Sequence, residues 1–343
     1  MAFGVGLSIG TVNTVCSTAA DRSGKHPPGR RGAQAAPPTT WRTTLTFDSS
    51  GTARVGRIPR HGRVITEFAD LTQRGAPVAR VGHRALSAAD LVATVAHSVV
   101  AEVLGEPPAG PLDSGEAGIA VTHPAGYSAE LVGDLRAALD SVGLARAALL
   151  AEPIAAATWL AAERGPLTPG LALVYDLGGS GLDVTLLRVG MGAPSNPVVG
   201  LPLHSVEYGG RAFGDMVARK LRRTAGAQVV PRGLSDADSG ELRGEHIRRS
   251  LALVYKCLRI ADVTMADVDR ILVVGGAARP PEVAQVLAKE LARPVVVAAD
   301  PERTIADGAA LAARQSLREQ DSGGHRHHSL TGLFRRVTRV AAL

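Results

Sequence analysis

Three glycine turns are where this 343-residue chain places residue types suited to chemistry on an anion. The first follows Gly4-Val5-Gly6-Leu7-Ser8-Ile9 and consists of Gly10-Thr11. The second is Asp176-Leu177-Gly178-Gly179-Ser180-Gly181. The third, Gly275-Gly276, separates the apolar run Arg270 to Val274 from a helix expected at Pro281 to Leu291. A glycine turn between strands presents successive backbone N–H groups with no side chain in the way, so a phosphate can come close. A helix N-terminus behind such a turn adds a favourable dipole. One glycine pair is most often only a tight turn, but two at equivalent places in the two halves of the chain point to a phosphate ligand. None has the P-loop spacing with its lysine, and the first lacks the three-glycine dinucleotide fingerprint, so Walker-type and Rossmann readings are set aside.

Other reactive side chains carry less. Glu152 opens a helix ahead of Pro153, where a carboxylate is favoured by the helix dipole alone. Cys257 lies mid-helix among Leu253, Val254 and Leu258 and reads as a small core residue. Cys16 and Cys257 are the only cysteines, which excludes a disulfide scaffold and a multi-cysteine zinc module. His325-Arg326-His327-His328 reads as an adventitious cluster in a tail.

The elements that must position these turns follow from the apolar pattern. Strands are expected at Phe3 to Ile9, Val12 to Ala19, Trp41 to Phe47 and Thr52 to Ile58, then at Ala117 to Thr122 and Ala148 to Leu150. Ser87 with Asp90 predicts a capped helix from Ala88 to Leu104, and Ser128 caps another to about Val142. Glu152 to Glu163 is helical, and Gly165 to Gly170 breaks the chain. The second half restarts as strand (Leu171 to Tyr175), turn and strand (Leu182 to Arg188). Helices follow at Gly210 to Arg223 and Gly244 to Ala261, with a polar loop to about Arg243 between them. A strand at Arg270 to Val274, the helix at Pro281, a strand at Pro294 to Val297 and a helix from Pro301 to about Arg318 complete it. This is an α/β chain of two duplicated halves.

Composition narrows the partners. The chain is 45% hydrophobic and 20% charged, which suits a folded core. Two Trp, four Tyr and five Phe are too few for stacking platforms on single-stranded nucleic acid. Residues 22–63 hold nine Arg/Lys and one acid, and residues 322–343 hold four Arg and no acid, so the rest of this +6 chain is acidic. The basic charge thus lies in flanking segments rather than on a folded face, which argues against nucleic acid as a partner. No lysine or arginine precedes Arg22 and no apolar run reaches 18 residues, so a cytoplasmic protein is expected. Residues 330–343 place apolar side chains on one helical stripe with arginines mostly beside it. That segment packs on its own core, docks on a protein partner or lies peripherally on an anionic membrane surface.

Seven segments resemble, in order, motifs of the Hsp70 chaperones within the actin/sugar-kinase/Hsp70 ATPase superfamily. They are Gly6 to Thr14, Val121-Thr122-His123-Pro124-Ala125, Ala151-Glu152-Pro153-Ile154-Ala155-Ala156-Ala157, Asp176 to Val184, Tyr208 to Phe213, Val273 to Pro281 and Asp300 to Ala310. The resemblance implies an actin-like ATPase fold: two duplicated lobes around a nucleotide cleft, with a reduced second lobe. Lobe I is expected at 1–168, completed by a closing helix at 301–320, lobe II at 169–300, and the basic amphipathic tail at 321–343. It implies ATP or ADP with Mg²⁺ as cofactor and a protein partner. On the matching positions it assigns phosphate or nucleotide contacts to Gly10, Thr11, Gly178, Gly179, Gly275, Gly276 and Arg279, with Arg279 stacking on the adenine. It assigns catalytic roles to Thr11, Glu152, Asp176 and Asp183, and Mg²⁺ to Asp176 and Asp183.

Departures from the family pattern bear on activity. Ser8 stands where the family has an aspartate near Mg²⁺, and Ser180-Gly181 replaces a Gly-Thr pair. The stretch Val64 to Leu71, where the resemblance places a lysine near the transferring phosphate, has none; Arg63 and Arg74 are the nearest cations. Between Gly210 and Gly275 lie 64 residues, too few for the extra subdomain that grips adenosine. Only 25 residues follow Arg318, so no substrate-binding half is expected. The expectations are a divergent nucleotide-binding protein with weak or lost hydrolysis or, alternatively, a pseudo-ATPase scaffold working through protein contact. A sugar kinase is a weaker third reading, for want of a sugar-binding carboxylate set.

Overall fold

The computed structural model describes residues 3–20, 40–48, 51–58, 64–72, 79–81, 84–105, 117–194, 196–224 and 235–322. The expected loop at 22–38, Arg63, Arg74 and the segment 330–343 lie outside the described residues. The chain divides into two compact units. Residues up to His123, Tyr127–Thr158 and those from Ala306 on make the first; Pro124–Gly126 and Trp159–Ile305 make the second.

In the first unit β1 (Phe3–Ile9), β2 (Asn13–Ala19) and β3 (Thr40–Arg42) run antiparallel. Two small hairpins follow, β4 (Leu45–Phe47) with β5 (Ala53–Val55) and β6 (Ala79–Val81) with β7 (Arg84–Leu86). Then come α1 (Ala88–Leu104), β8 (Ala117–His123), α2 (Ala129–Ser141), β9 (Ala148–Ala151) and α3 (Glu152–Arg164). The sheet order is β3-β2-β1-β8-β9, with β8 and β9 parallel to β1. The second unit holds β10 (Gly170–Leu177), β11 (Leu182–Val189), β12 (Val198–Ser205), α4 (Gly210–Thr224) and α5 (Asp236–Ile260). It continues with β13 (Arg270–Val274), α6 (Pro281–Leu291) and β14 (Val295–Val297), and α7 (Thr304–Ser322) closes the described chain. Its sheet order is β12-β11-β10-β13-β14, with the same senses. The two sheets match strand for strand, as duplication of one unit requires.

Alternation along β1 explains the first core. Val5, Leu7 and Ile9 point to a cluster with Leu91, Val95 and Val99 of α1 and Leu135 and Leu139 of α2. Gly4 and Gly6 point the other way. A Cβ on either would overlap the α7 backbone, at Ala310 for both and also at Ala306 for Gly6; one on Gly118 of β8 would lie 2.5 Å from Ala313 O. The glycines therefore let a helix of small residues lie directly on the sheet. Ser17 Oγ on β2 donates to Asp307 of α7, and Arg314 Nη1 donates to Ala20 O at 2.9 Å. In the second core Leu173, Tyr175 and Leu177 of β10 meet Ile247, Val254 and Leu258 of α5 and Val283 and Leu287 of α6.

Several boundaries shift from expectation. The box formed by Ser87 and Asp90 is present on α1. α5 begins at Asp236, so the expected polar loop to Arg243 is helical over its last eight residues. Ser235 Oγ accepts from Asp238 N–H at 3.1 Å, and two acids in the first turn favour that end. β12 was not anticipated: Gly200 (φ 70°) and Pro202 interrupt its pattern, and both are tolerated because β12 is an edge strand. The run Trp41 to Phe47 is two strands, broken at Thr43. The final helix starts at Thr304, after a turn at Pro301–Arg303, and reaches Ser322. Only eleven residues separate α4 from α5, too few for an inserted subdomain. Among the described residues no helix is long and apolar enough to cross a membrane.

Candidate functional site

The first two glycine turns are the same turn. In each, four residues join a closing strand pair, Ile9 with Thr14 and Leu177 with Leu182. Gly10 N–H donates to Asn13 O at 3.0 Å, and Gly178 N–H donates to Gly181 O at 2.9 Å. What holds them differs. Thr43, beyond β3, pins the first: its N–H donates to Val12 O at 2.9 Å and its Oγ1 to Gly10 O at 2.6 Å. The N-terminus of α4 pins the second, where Gly210 N–H donates to Gly178 O at 3.0 Å and Arg211 N–H to Gly179 O at 2.8 Å. This docking needs glycine, since a Cβ on Gly209 would lie 2.6 Å from Gly181 N. The second turn thus has its carbonyls engaged by a helix.

Beside it Asp176 and Asp183 face each other across the β10–β11 pair. Burial, and then the charge of Asp183, push the Asp176 carboxyl up to about 7, against an opposing pull from His204. His204 of β12 pairs in register with Asp183, and its Nδ1 lies 3.1 Å from each Asp183 oxygen. His204 was missed in sequence. Once β12 is seen and set antiparallel on β11, the residue falls opposite the acid; without that strand a lone histidine carries no signal.

The third glycine element joins the same neighbourhood. Gly275 has φ 95°, and a Cβ there would lie 2.5 Å from Asp176 Oδ1, so only glycine fits on both counts. Its N–H donates to Pro301 O at 2.9 Å. A Cβ on Gly276 would lie 2.9 Å from Glu302 Oε1. Arg279, expected on an adenine, has its guanidinium on Asp300, with Nε 3.1 Å from Oδ1, and on Glu302. The structure thus gathers Asp176, Asp183, Gly178, Gly179 and Gly275 in the second unit, with Gly276 and Arg279 linked through Glu302.

Gly10, Thr11 and Glu152 belong to the first unit. Thr11 sits in the first turn, and Glu152 is the first residue of α3, directly after β9. Ser8 holds the place in β1 that Asp176 holds in β10, next to the strand end, and faces Val15. The stretch Val64 to Leu71 is anchored by fully buried Phe68 and by Tyr127, whose hydroxyl accepts from Leu71 N–H at 3.0 Å and donates to Ala69 O at 3.3 Å. No lysine stands in it. Cys257 is buried, which pushes its thiol up to about 11 and suits a core role.

Magnesium, implied by the resemblance, wants a near-octahedral shell of oxygens. Here Asp183 turns both oxygens to a histidine nitrogen. Among the described residues no three His, Cys, Asp or Glu side chains are grouped to hold a metal. What departs from a magnesium site is the contact at Asp183, whose two oxygens both face His204 Nδ1.

Two copies of a five-stranded β-β-β-α-β-α-β unit, each with a four-residue glycine turn after its first strand, define the actin-like ATPase fold. The family model described as "Hsp70 protein" matches residues 223–320. The chain is 28% identical over 229 residues to "Chaperone protein HscA homolog" of Aeromonas hydrophila subsp. hydrophila, covering 57% of this chain and 36% of that protein. It is 29% identical over 238 residues to "Chaperone protein HscA" of Escherichia coli O6:H1, covering 60% and 37%. The matched region spans little more than a third of these relatives. Over these stretches the chain is similar to the Hsp70 family.

Proposed function

We propose that the protein binds ADP or ATP through the second unit, hydrolyses it slowly or not at all, and serves a chaperone-related role with a protein partner. The observation that carries this reading is the turn Gly178–Gly181. It keeps the closing hydrogen bond of a phosphate turn, is braced by the N-terminus of α4, and sits beside Asp176 and the left-handed Gly275. Slow turnover follows from the missing charge. Phosphoryl transfer depends on positioned cations and electrostatic stabilisation, and the stretch Val64 to Leu71, where the resemblance expects a lysine, carries none.

A scaffold without nucleotide is the second reading, and Ser8 at the place of Asp176 favours it. Calorimetric titration with ADP separates the two. Binding by the wild type, reduced at least about tenfold in Gly178→Val with the melting temperature kept, supports the nucleotide reading. The fold can take that change, because a Cβ on Gly178 meets nothing nearer than Gly181 O at 3.4 Å. No heat of binding in the wild type establishes the scaffold.

A further inference from the structure

His204 is fixed at both ends. An ionised carboxylate only accepts hydrogen bonds, so the Nδ1 that lies 3.1 Å from both Asp183 oxygens carries the proton and donates. The far edge of the ring rests on the phosphate turn. A Cβ placed on Gly181 would come 2.6 Å from His204 Cε1 and 3.1 Å from Nε2. Glycine at 181 therefore makes room for the imidazole, and the ring lies between the acid and the last residue of the turn. The first unit has no such pair at the matching positions. The residues at the corresponding places are Val15 on β2 and its partner Thr40 on β3.

The imidazole N–H takes the side of the Asp183 carboxylate on which both oxygens could grip a divalent cation together. A cation approaching on that side would meet the positive end of the N–H dipole or break a hydrogen bond to a charged group, which is among the stronger polar contacts in a protein. We propose that His204 stands in for a divalent cation at Asp183, so that the second unit binds ADP without requiring Mg²⁺. This rests on the nucleotide reading above and adds to it the residue that sets the metal requirement. His204 is a positioning residue: it acts by holding the Asp183 carboxylate.

The test is ADP titration of the full chain in excess EDTA and in excess Mg²⁺, for the wild type, His204→Ala and His204→Asn. The wild-type Kd is expected to agree within about threefold between the two buffers. In His204→Ala the carboxylate is released, and binding becomes at least about tenfold tighter with Mg²⁺ than with EDTA. Asn carries an amide N–H close to where Nδ1 stood and restores the wild-type indifference, which a merely structural role would not predict. Wild-type binding that needs Mg²⁺ overturns the proposal, as does an alanine variant that binds ADP with no gain in metal response. Absence of ADP binding by the wild type in both buffers overturns the nucleotide reading, and this proposal with it.

Discussion

The hairpins β1–β2 and β10–β11 have one backbone and two chemistries. Both close four-residue turns with the same hydrogen bond, and both open a sheet of the same strand order. Aligned by register, Ser8 and Val15 stand where Asp176 and Asp183 stand, and Thr40 stands where His204 does. The first unit has placed its glycines within the strands, at Gly4, Gly6 and Gly118, where α7 lies against the backbone. The second carries Ala172 and Val174 at the places of Gly4 and Gly6, and concentrates glycine in the turn at 178, 179 and 181. The lesson is that duplication conserved the shape of the turn while the charge around it was kept on one side only.

The strongest way to break this comparison is Gly6→Val. The second unit holds valine at the matching Val174 without difficulty, fully packed. In the first unit the added side chain has to push α7 off the sheet, and overpacking against backbone costs about 3 kcal/mol or more. Hydrogen exchange should show early opening of β1, β8 and α7, with β10 and β13 protected as in the wild type. Equal loss of protection in both units would mean that the glycine face is no special feature of the first.

A smaller effect sharpens the chemical half. The Asp176 carboxyl, ordinarily near 4, sits at about 7 when folded, so the folded chain binds the proton more tightly than the unfolded one. That contribution to stability is complete below about pH 4 and is lost as pH rises through about 7. It amounts to no more than about 4 kcal/mol, and to less where water still reaches the residue. In EDTA, the wild type should lose more melting temperature between those pH values than Asp176→Asn. Parallel curves for the two proteins would remove the acid pair as a source of tension. Ser8→Asn, at the matching place, should leave the wild-type slope unchanged.

The smallest expected effect comes from deleting residues 330–343. The sequence reads them as a tail, and the melting temperature should move by less than about 2 °C, as for a change under about 0.5 kcal/mol. Sedimentation with anionic liposomes should fall on deletion, and for the intact chain it should weaken as salt rises. A large drop in melting temperature on truncation would place the segment in a core instead.

Much of this was legible where local chemistry and burial agree. Ser87 with Asp90 announces α1, and the pattern around Gly178 announces a strand–turn–strand, because caps and tight turns are written within a few residues. β12 was hidden because an edge strand tolerates Gly200 and Pro202, which read as breakers. The first two turns of α5 were hidden because their polar residues face solvent, leaving only Ser235 and Asp238 as a signal. The site followed the same division. The glycines and acids were readable as motifs, whereas His204 and the engagement of Arg279 with Asp300 and Glu302 depend on strand register and on loops meeting across the fold.

The contact between α7 and the glycine face of β1 also orders events in time. Gly4 and Gly6 are made before their partners Ala306, Ala309 and Ala310, which come some three hundred residues later. The stretch Trp159–Ile305 supplies nearly all of the second unit and is complete before α7 emerges, so the second unit can fold on the ribosome while the first waits for its last helix. Closing so long a loop makes this contact a late and slow step.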